Sequence, residues 1–420
     1  MKQISLLVIG AGNRGDGYAS VAKKKPELFC VAGVADPNDS RRNQIKREHD
    51  LDESMCFTDW RDMLARPKMA DCVMICTQDH MHFEPAMAAI EKGYHILLEK
   101  PISPDPAECL ALTEAAEKKG VQVIVCHVLR YTPFYGKVKG LIDSGRIGEV
   151  VSMQHIECVA FYHQAHSFVR GNWSRKDESS PMILAKCCHD MDLMQWLLGK
   201  KCKRVSSFGS LTHFTKENKP EGAPAYCIEG CPHGEECPYN AVKLYYDDKD
   251  NTWFRTTSTM LAEPTDEDVK KAITTGPYGR CVYQCDNDVV DHQVVNLEYE
   301  GGVTASFTMC AFTPKMGRIT KIMGTKGELN ANMDEDGLMT IDVTEFRTKA
   351  TERFVIDNNL EGQKGHGGGD EGIMLSLYET LNGTYRGNAV SSIRTSCENH
   401  MTAFAAEESR ITNKTINMDE

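Results

Sequence analysis

The chain has 420 residues, of which 41% are apolar and 26% charged, and a formal net charge of −12. That length predicts two domains, because single cores stop growing at about 250 to 300 residues. The acidic balance argues against nucleic acid and anionic membrane as partners, which leaves a small molecule as the expected substrate, and no run approaches the roughly twenty apolar residues of a membrane span.

Ile4 to Ser20 reads as an apolar strand, a glycine turn and a helix, with Gly10, Gly12 and Gly15 in the G-x-G-x-x-G spacing. Gly10 suits the tight turn, Gly12 a close approach of backbone to a pyrophosphate, and Gly15 the packing of helix on strand, with phosphate at the helix N-terminus. Asn13 and Arg14 belong to the same turn and are assigned to the cofactor with it. Cys30 to Ala35 is a second buried strand, and Asp36 follows at about the offset of a ribose-binding carboxylate. An aspartate there favours NAD over NADP, although Arg41 or Arg42 can instead receive a 2′-phosphate.

Met1 to Gln3 lead directly into the first strand without a signal peptide, which predicts a cytoplasmic protein whose 17 cysteines are thiols or metal ligands rather than disulfides. Further apolar segments, Asp71 to Thr77, His95 to Lys100 and Val121 to Val128, alternate with helical stretches, the pattern of a parallel doubly wound sheet. Ligands in such sheets bind at the carboxyl ends of the strands. Thr77, Gln78, His82, Glu99 and Lys100 fall there and are assigned to the cofactor, and Arg130, from the next strand end, to the substrate.

Beyond Tyr131 a helix opens at Pro133, and long alternating strands follow: Val150 to Phe161, Arg204 to Phe214, Val289 to Tyr299, Val303 to Phe312 and Arg318 to Gly324. Glu300-Gly301-Gly302 reads as a hairpin turn. The expected architecture is an α/β chain, with a Rossmann domain over 1–130 and an α+β domain over 131–420 that carries a large open, mainly antiparallel sheet and a cysteine-containing insertion at 215–285. One face of such a sheet needs a partner, so a homo-oligomer, dimer or tetramer, is expected through it.

Pro181 to Gly199 reads as one helix, on which Lys186, His189 and Asp190 share a face. Upstream lie His163, His166, Arg170, Trp173 and Arg175, a concentration of donors before the same helix. His163, His166 and, far downstream, His366 before Gly367-Gly368-Gly369 are assigned to the substrate pocket, Trp173 and Arg175 to the cofactor. Cys227, Cys231 and Cys237 form a cluster suited to structural zinc, with Cys281, Cys285, His233 and His292 as candidate fourth ligands.

GAGNRG at 10–15, Glu99-Lys100-Pro101 and the histidine-bearing helix before Trp196-Leu197-Leu198-Gly199 resemble the glucose-fructose oxidoreductase, inositol dehydrogenase and rhizopine-catabolism (Gfo/Idh/MocA) family over nearly the whole chain. The resemblance implies NAD(H) or NADP(H) bound between a Rossmann and a sheet domain, and oxidation of a sugar or cyclitol hydroxyl. It implies that Lys100 contacts both the nicotinamide ribose and the reacting hydroxyl, while His189 exchanges the hydroxyl proton. The chain departs from the pattern at Ala185, where such dehydrogenases often carry an aspartate, and Lys186 follows as a third candidate catalyst. Two alternatives to a net dehydrogenase follow: an NAD-dependent glycosidase or lyase that passes through a keto sugar and recycles its cofactor, and a non-catalytic nucleotide sensor.

Overall fold

The computed structural model describes residues 1–334, 337–357 and 366–418. The first sheet has six parallel strands, β1 (Ile4–Ile9), β2 (Phe29–Ala35), β3 (Cys56–Phe57), β4 (Cys72–Ile75), β5 (His95–Leu98) and β6 (Val123–Val125), in the order β3-β2-β1-β4-β5-β6. That is the doubly wound order, with its switch point between β1 and β4. Both faces of the sheet are covered, so β1 and β4 are almost wholly buried and read as continuous apolar runs.

The second sheet has nine strands: β7 (Val150–Cys158), β8 (Cys202–Ser210), β9 (His292–Tyr299), β10 (Thr304–Cys310), β11 (Gly317–Gly324), β12 (Gly327–Asp334), β13 (Leu338–Glu345), β14 (Thr351–Asp357) and β15 (Ile416–Asn417). They run in the order β14-β13-β12-β11-β7-β10-β9-β8-β15, and every pairing is antiparallel except β7 with β10. The expected turn at Glu300–Gly302 joins β9 to β10, with Gly301 and Gly302 at positive φ. On β7 the inward side chains are Met153, His155 and Glu157, so two polar groups face the helical layer. The outer face exposes Phe208, Val294, Ile319 and Val355.

The C-terminal helices return to the first domain. On Gly369–Leu381, Ile373, Met374 and Leu377 share a core with Leu6, Val8 and Phe29. Ile393–Thr412 starts beside Ile75 and Leu98 through Ile393 and Cys397, then ends in the second core through Ala403 and Ala406. This one helix seams the two sheets.

One expected element is different. Pro181 to Gly199 is two helices, Met182–Ala185 and Cys188–Leu198, with the break at Lys186 and Cys187. The amides of Lys186 and Cys187 bond back to Met182, and those of Asp190 and Met191 start again from Cys187. Lys186 and His189 therefore do not share one helical face, and the Ala185 carbonyl is turned to another partner.

Candidate active site

The glycine turn after β1 divides its three glycines by role. A Cβ on Gly10, at φ +87°, would lie 2.6 Å from the Cys76 carbonyl oxygen, and one on Gly15 would lie 2.0 Å from that of Gly10, so both are required by the protein's own packing. At Gly12 the nearest atom is a terminal nitrogen of Arg41, 3.4 Å away. Gly12 is the position open to a ligand, directly before the N-terminus of Asn13–Lys24, whose first amides have no side-chain cap among the described residues. Asp36, buried at the end of β2, accepts the amides of Ala11 at 2.6 Å and Asn38 at 2.7 Å. It ties the turn to the ribose position and keeps lone pairs for a diol. These residues fit a dinucleotide.

Arg14 bridges the domains. Its guanidinium bonds Glu99 at 2.9 Å and Asp370 at 2.8 Å, and Tyr18 donates to the same Glu99 oxygen at 2.8 Å. Burial alone would raise the Glu99 pKa, but Arg14 and Lys100 hold it below the usual range. Asp370 is likewise held low against burial by His366 and Arg14. Gly369 and Gly372 allow this approach, since a Cβ on either would meet the carbonyl oxygen of Val128 or Tyr131 at 2.3 or 2.5 Å. The close approach expected of the His366 glycines is thus to the chain's own β6 loop.

Lys100, just beyond β5, donates from Nζ to the Ala185 carbonyl at 2.9 Å. The helix break supplies that acceptor: in an unbroken helix the Ala185 oxygen would take the His189 amide. The position that lacks an aspartate side chain therefore orients Lys100 with its backbone. His189 lies one turn on, with Nδ1 buried and without a hydrogen-bond partner among the described residues. Burial, then the Lys100 ammonium, lowers its pKa well below 6.5, which leaves a neutral imidazole able to accept a proton. His366 stands at 6.4 Å between ring centres, and His127 packs edge-on from behind at 5.7 Å. His163 completes the group: burial and the nearby Lys186, together with Lys100 and His366, depress its pKa.

Lys186 enters from the break itself. Its Nζ is 3.2 Å from Glu157 Oε1, while Arg318 contacts Glu157 Oε2 at 2.7 Å and Asp190 at 2.8 Å. His155 closes the network, bonding Asp190 at 2.9 Å and Thr320 at 2.8 Å. Asp190 thus serves the sheet rather than the cleft.

Models of two halves of one oxidoreductase family match this chain, the NAD-binding Rossmann fold over residues 4–127 and the C-terminal α/β domain over 139–416. The chain belongs to the Gfo/Idh/MocA family. Members are NAD-dependent oxidoreductases, and the cradle described above lies within the part of the chain that matches the NAD-binding Rossmann model. The chain is similar to the oxidoreductase YteT of Bacillus subtilis, 26% identical over 333 residues that cover 76% of this chain and 74% of YteT. It is 29% identical to the 2,7-anhydro-N-acetylneuraminate hydratase of Escherichia coli over 153 residues, 36% of this chain and 40% of the hydratase. It is 25% identical to the levoglucosan dehydrogenase of Pseudarthrobacter phenanthrenivorans over 207 residues, 48% of this chain and 52% of that protein. The last two alignments thus span about half or less of those relatives. A levoglucosan dehydrogenase solved with NADH and L-sorbose has the same fold, with TM-score 0.70, 17% identity and 99% of both chains covered.

Of the Gfo/Idh/MocA residues expected at the site, several face elsewhere. His166 is buried among aromatics, stacked on Phe254 at 4.1 Å and bonded to Tyr245 at 3.0 Å, and burial lowers its pKa to about 3. Arg130 is spent on Asp192 through two bonds of 2.5 and 2.6 Å. His82 turns its ring nitrogens to the carbonyls of Pro101 and Thr77, at 2.6 and 3.1 Å, and so ties the β4 loop to the Lys100 loop. Thr77, half-buried, bonds the Met81 carbonyl at 3.1 Å, and Gln78 is exposed at that strand end. Trp173 donates to the buried Asp79 at 3.0 Å, which Ser180 also reaches at 2.6 Å, so Asp79 latches the second domain to the β4 loop. Arg175 lies outside, paired with Asp177 at 2.6 Å and Glu178 at 3.3 Å. Glu157 was not anticipated; its signal is the alternation of β7, which turns it inward with Met153 and His155.

The zinc expectation is corrected. Cys227, Cys231, Cys237 and Cys281 line one cavity, yet among the described residues no three of the His, Cys, Asp or Glu groups could hold a metal ion. His233 faces the Glu221 carbonyl at 2.8 Å, His292 faces Asp291 at 2.8 Å, and Cys285 donates to the Cys281 carbonyl at 3.5 Å. Arg170 brings its own cation to within 3.7 Å of the Cys227 sulfur, where a zinc ion would add like charge.

Proposed function

We propose that the chain oxidises a ring hydroxyl of a sugar, glycoside or cyclitol, using NAD. The observation that carries this is Lys100 bound to the Ala185 carbonyl, with neutral His189 one turn beyond it. In this reading Lys100 donates a hydrogen bond to the reacting oxygen, and His189 accepts the hydroxyl proton as hydride leaves the adjacent carbon. The dinucleotide, held by the turn at Gly10, Gly12 and Gly15 and by Asp36, supplies the hydride acceptor. Preference for NAD over NADP rests on the Asp36 carboxylate, which opposes a 2′-phosphate. His163 and His366 border the sugar, and the exposed Phe208, Ile319 and Val355 support pairing of two copies through the open sheet.

A second reading is redox-neutral: the sugar is oxidised, the ketone acidifies a neighbouring C–H, a substituent is eliminated, water adds, and the hydride returns. The Lys186–Glu157 pair favours it, since it places a further proton-handling group at the cleft, and the similar hydratase acts on an anhydro sugar. Free sugars, inositols and glycosides are incubated with NAD and followed by absorbance and product analysis. Net NADH supports the dehydrogenase, leaving-group release or hydration without NADH supports the second reading, and nucleotide binding without turnover of any compound leaves a sensor.

A further inference from the structure

The insertion does not stay with the second domain. Its helix Thr252–Thr259 is rooted in aromatic packing, with Trp253 5.0 Å from both His163 and His166 and Phe254 stacked on His166. Arg255 is anchored to Asp266 at 2.6 Å. The other side of this helix reaches the nucleotide fingerprint of the first domain. Asn13 donates to the Thr257 hydroxyl at 3.3 Å, Asn38 donates to the Met260 carbonyl at 2.8 Å, and the Ala262 amide donates to the Ser40 hydroxyl at 3.3 Å. Arg41, the residue over Gly12, extends to the Met260 sulfur at 3.7 Å. Met260 sits at φ +60°, a left-handed conformation that a side-chain-bearing residue adopts only where its surroundings demand it.

These contacts fall on the start of the first helix, where a dinucleotide fold holds the pyrophosphate, and on the loop after the ribose carboxylate that leads into the second helix, beside the adenosine ribose. None of them touches Lys100 or His189. We propose that residues 252–262 are a strap that encloses the adenosine half of the cofactor, with Asn38, Arg41, Thr257 and Met260 as its wall. The inference rests on the NAD-dependent reading above and adds to it a slow exchange of the cofactor. Release requires the strap to part from Asn13, Asn38 and Ser40, and any turnover that leaves NADH on the protein is then limited by that opening.

The test needs no knowledge of the sugar. Full-length protein purified without added nucleotide is denatured in acid and the released NAD(H) is quantified, and dissociation of radiolabelled NAD into excess cold NAD is timed. Wild type is expected to retain nucleotide and to exchange it slowly. Asn38→Ala with Thr257→Val removes the two side-chain hydrogen bonds to the strap, together with the Asn38 cap on the Arg41 amide, and should speed release by roughly tenfold or more. Met260→Gly relaxes the left-handed backbone and removes the wall side chain, so it should speed release while preserving the melting temperature. Equal release from wild type and both folded variants overturns the strap alone. Failure of wild type to bind NAD or NADP at all overturns the strap together with the oxidoreductase reading it rests on.

Discussion

The ammonium of Lys186 lies 3.2 Å from the buried carboxylate of Glu157, and Arg318 holds the other oxygen of that carboxylate at 2.7 Å. The acid that Ala185 cannot provide from the helix thus comes from the sheet, on β7, and it acts on Lys186 rather than on His189. Lys186 then has a fixed place at the cleft edge beside His163. Lys186→Met is expected to retain NAD binding and melting and to lose about 10²-fold in turnover of the best substrate found, the usual scale of acid–base assistance. Full turnover in that variant would show that the pair only ties helix to sheet. Glu157→Gln, unlike Lys186→Met, should destabilise the fold by about 3 kcal/mol in urea, because it takes a counter-charge from the buried Arg318, whereas Lys186→Met leaves Glu157 paired with Arg318.

Lys100→Met keeps the stem and removes the donor to the Ala185 carbonyl. Together with His189→Asn it addresses the proposed hydroxyl chemistry: His189→Asn should bind NAD as wild type does, Lys100→Met, which also loses the expected nicotinamide-ribose contact, more weakly, and each should lose roughly 10² to 10⁴ in kcat. A variant that raised KM with kcat intact would place its residue in substrate binding alone.

Asp36→Ala should weaken the discrimination of NAD from NADP, because the carboxylate that accepts the Ala11 amide also opposes a 2′-phosphate. Titration of each cofactor into each protein measures this. An unchanged NAD to NADP ratio would exclude Asp36 from the ribose site and turn attention to Arg41.

His166 gives a pH prediction with a definite sign. Folded, its pKa is about 3 because burial disfavours the cation, while the unfolded value is near 6.5. Below pH 6.5 the unfolded chain takes up a proton that the folded chain refuses, so stability falls as pH is lowered from 6.5 toward 3. This one group should cost about 2 kcal/mol between pH 7 and pH 5. His127, His163, His189 and His400 are shifted the same way. Denaturant melts at pH 7, 6 and 5 should show the decline, and His166→Phe, which keeps the stack on Phe254, should flatten it by that amount. An unchanged slope in the variant would refute the assignment.

What the sequence by itself determined is local in origin. Glycine spacing, continuous apolar runs and the acid after β2 mark a doubly wound domain, because turn sterics and two-sided burial act within a few residues. Alternation likewise marked β7 to β11, and short motifs pointed to Lys100 and His189, which the fold places on either side of the helix break. What only the tertiary structure decided depends on partners distant along the chain. A helical pattern over Pro181 to Gly199 cannot show that the chain breaks at Lys186, because the gain from the break is the bond from Lys100, 85 positions away. Cysteine spacing suggested zinc, but Arg170 and the bonds of His233, His292 and Cys285 come from outside that spacing. Arg130 and His166 looked like free donors until Asp192 and the aromatic cluster engaged them. A side chain's polarity is written in the sequence; whether its charge and hydrogen bonds remain available to a ligand is settled by what the fold packs against it.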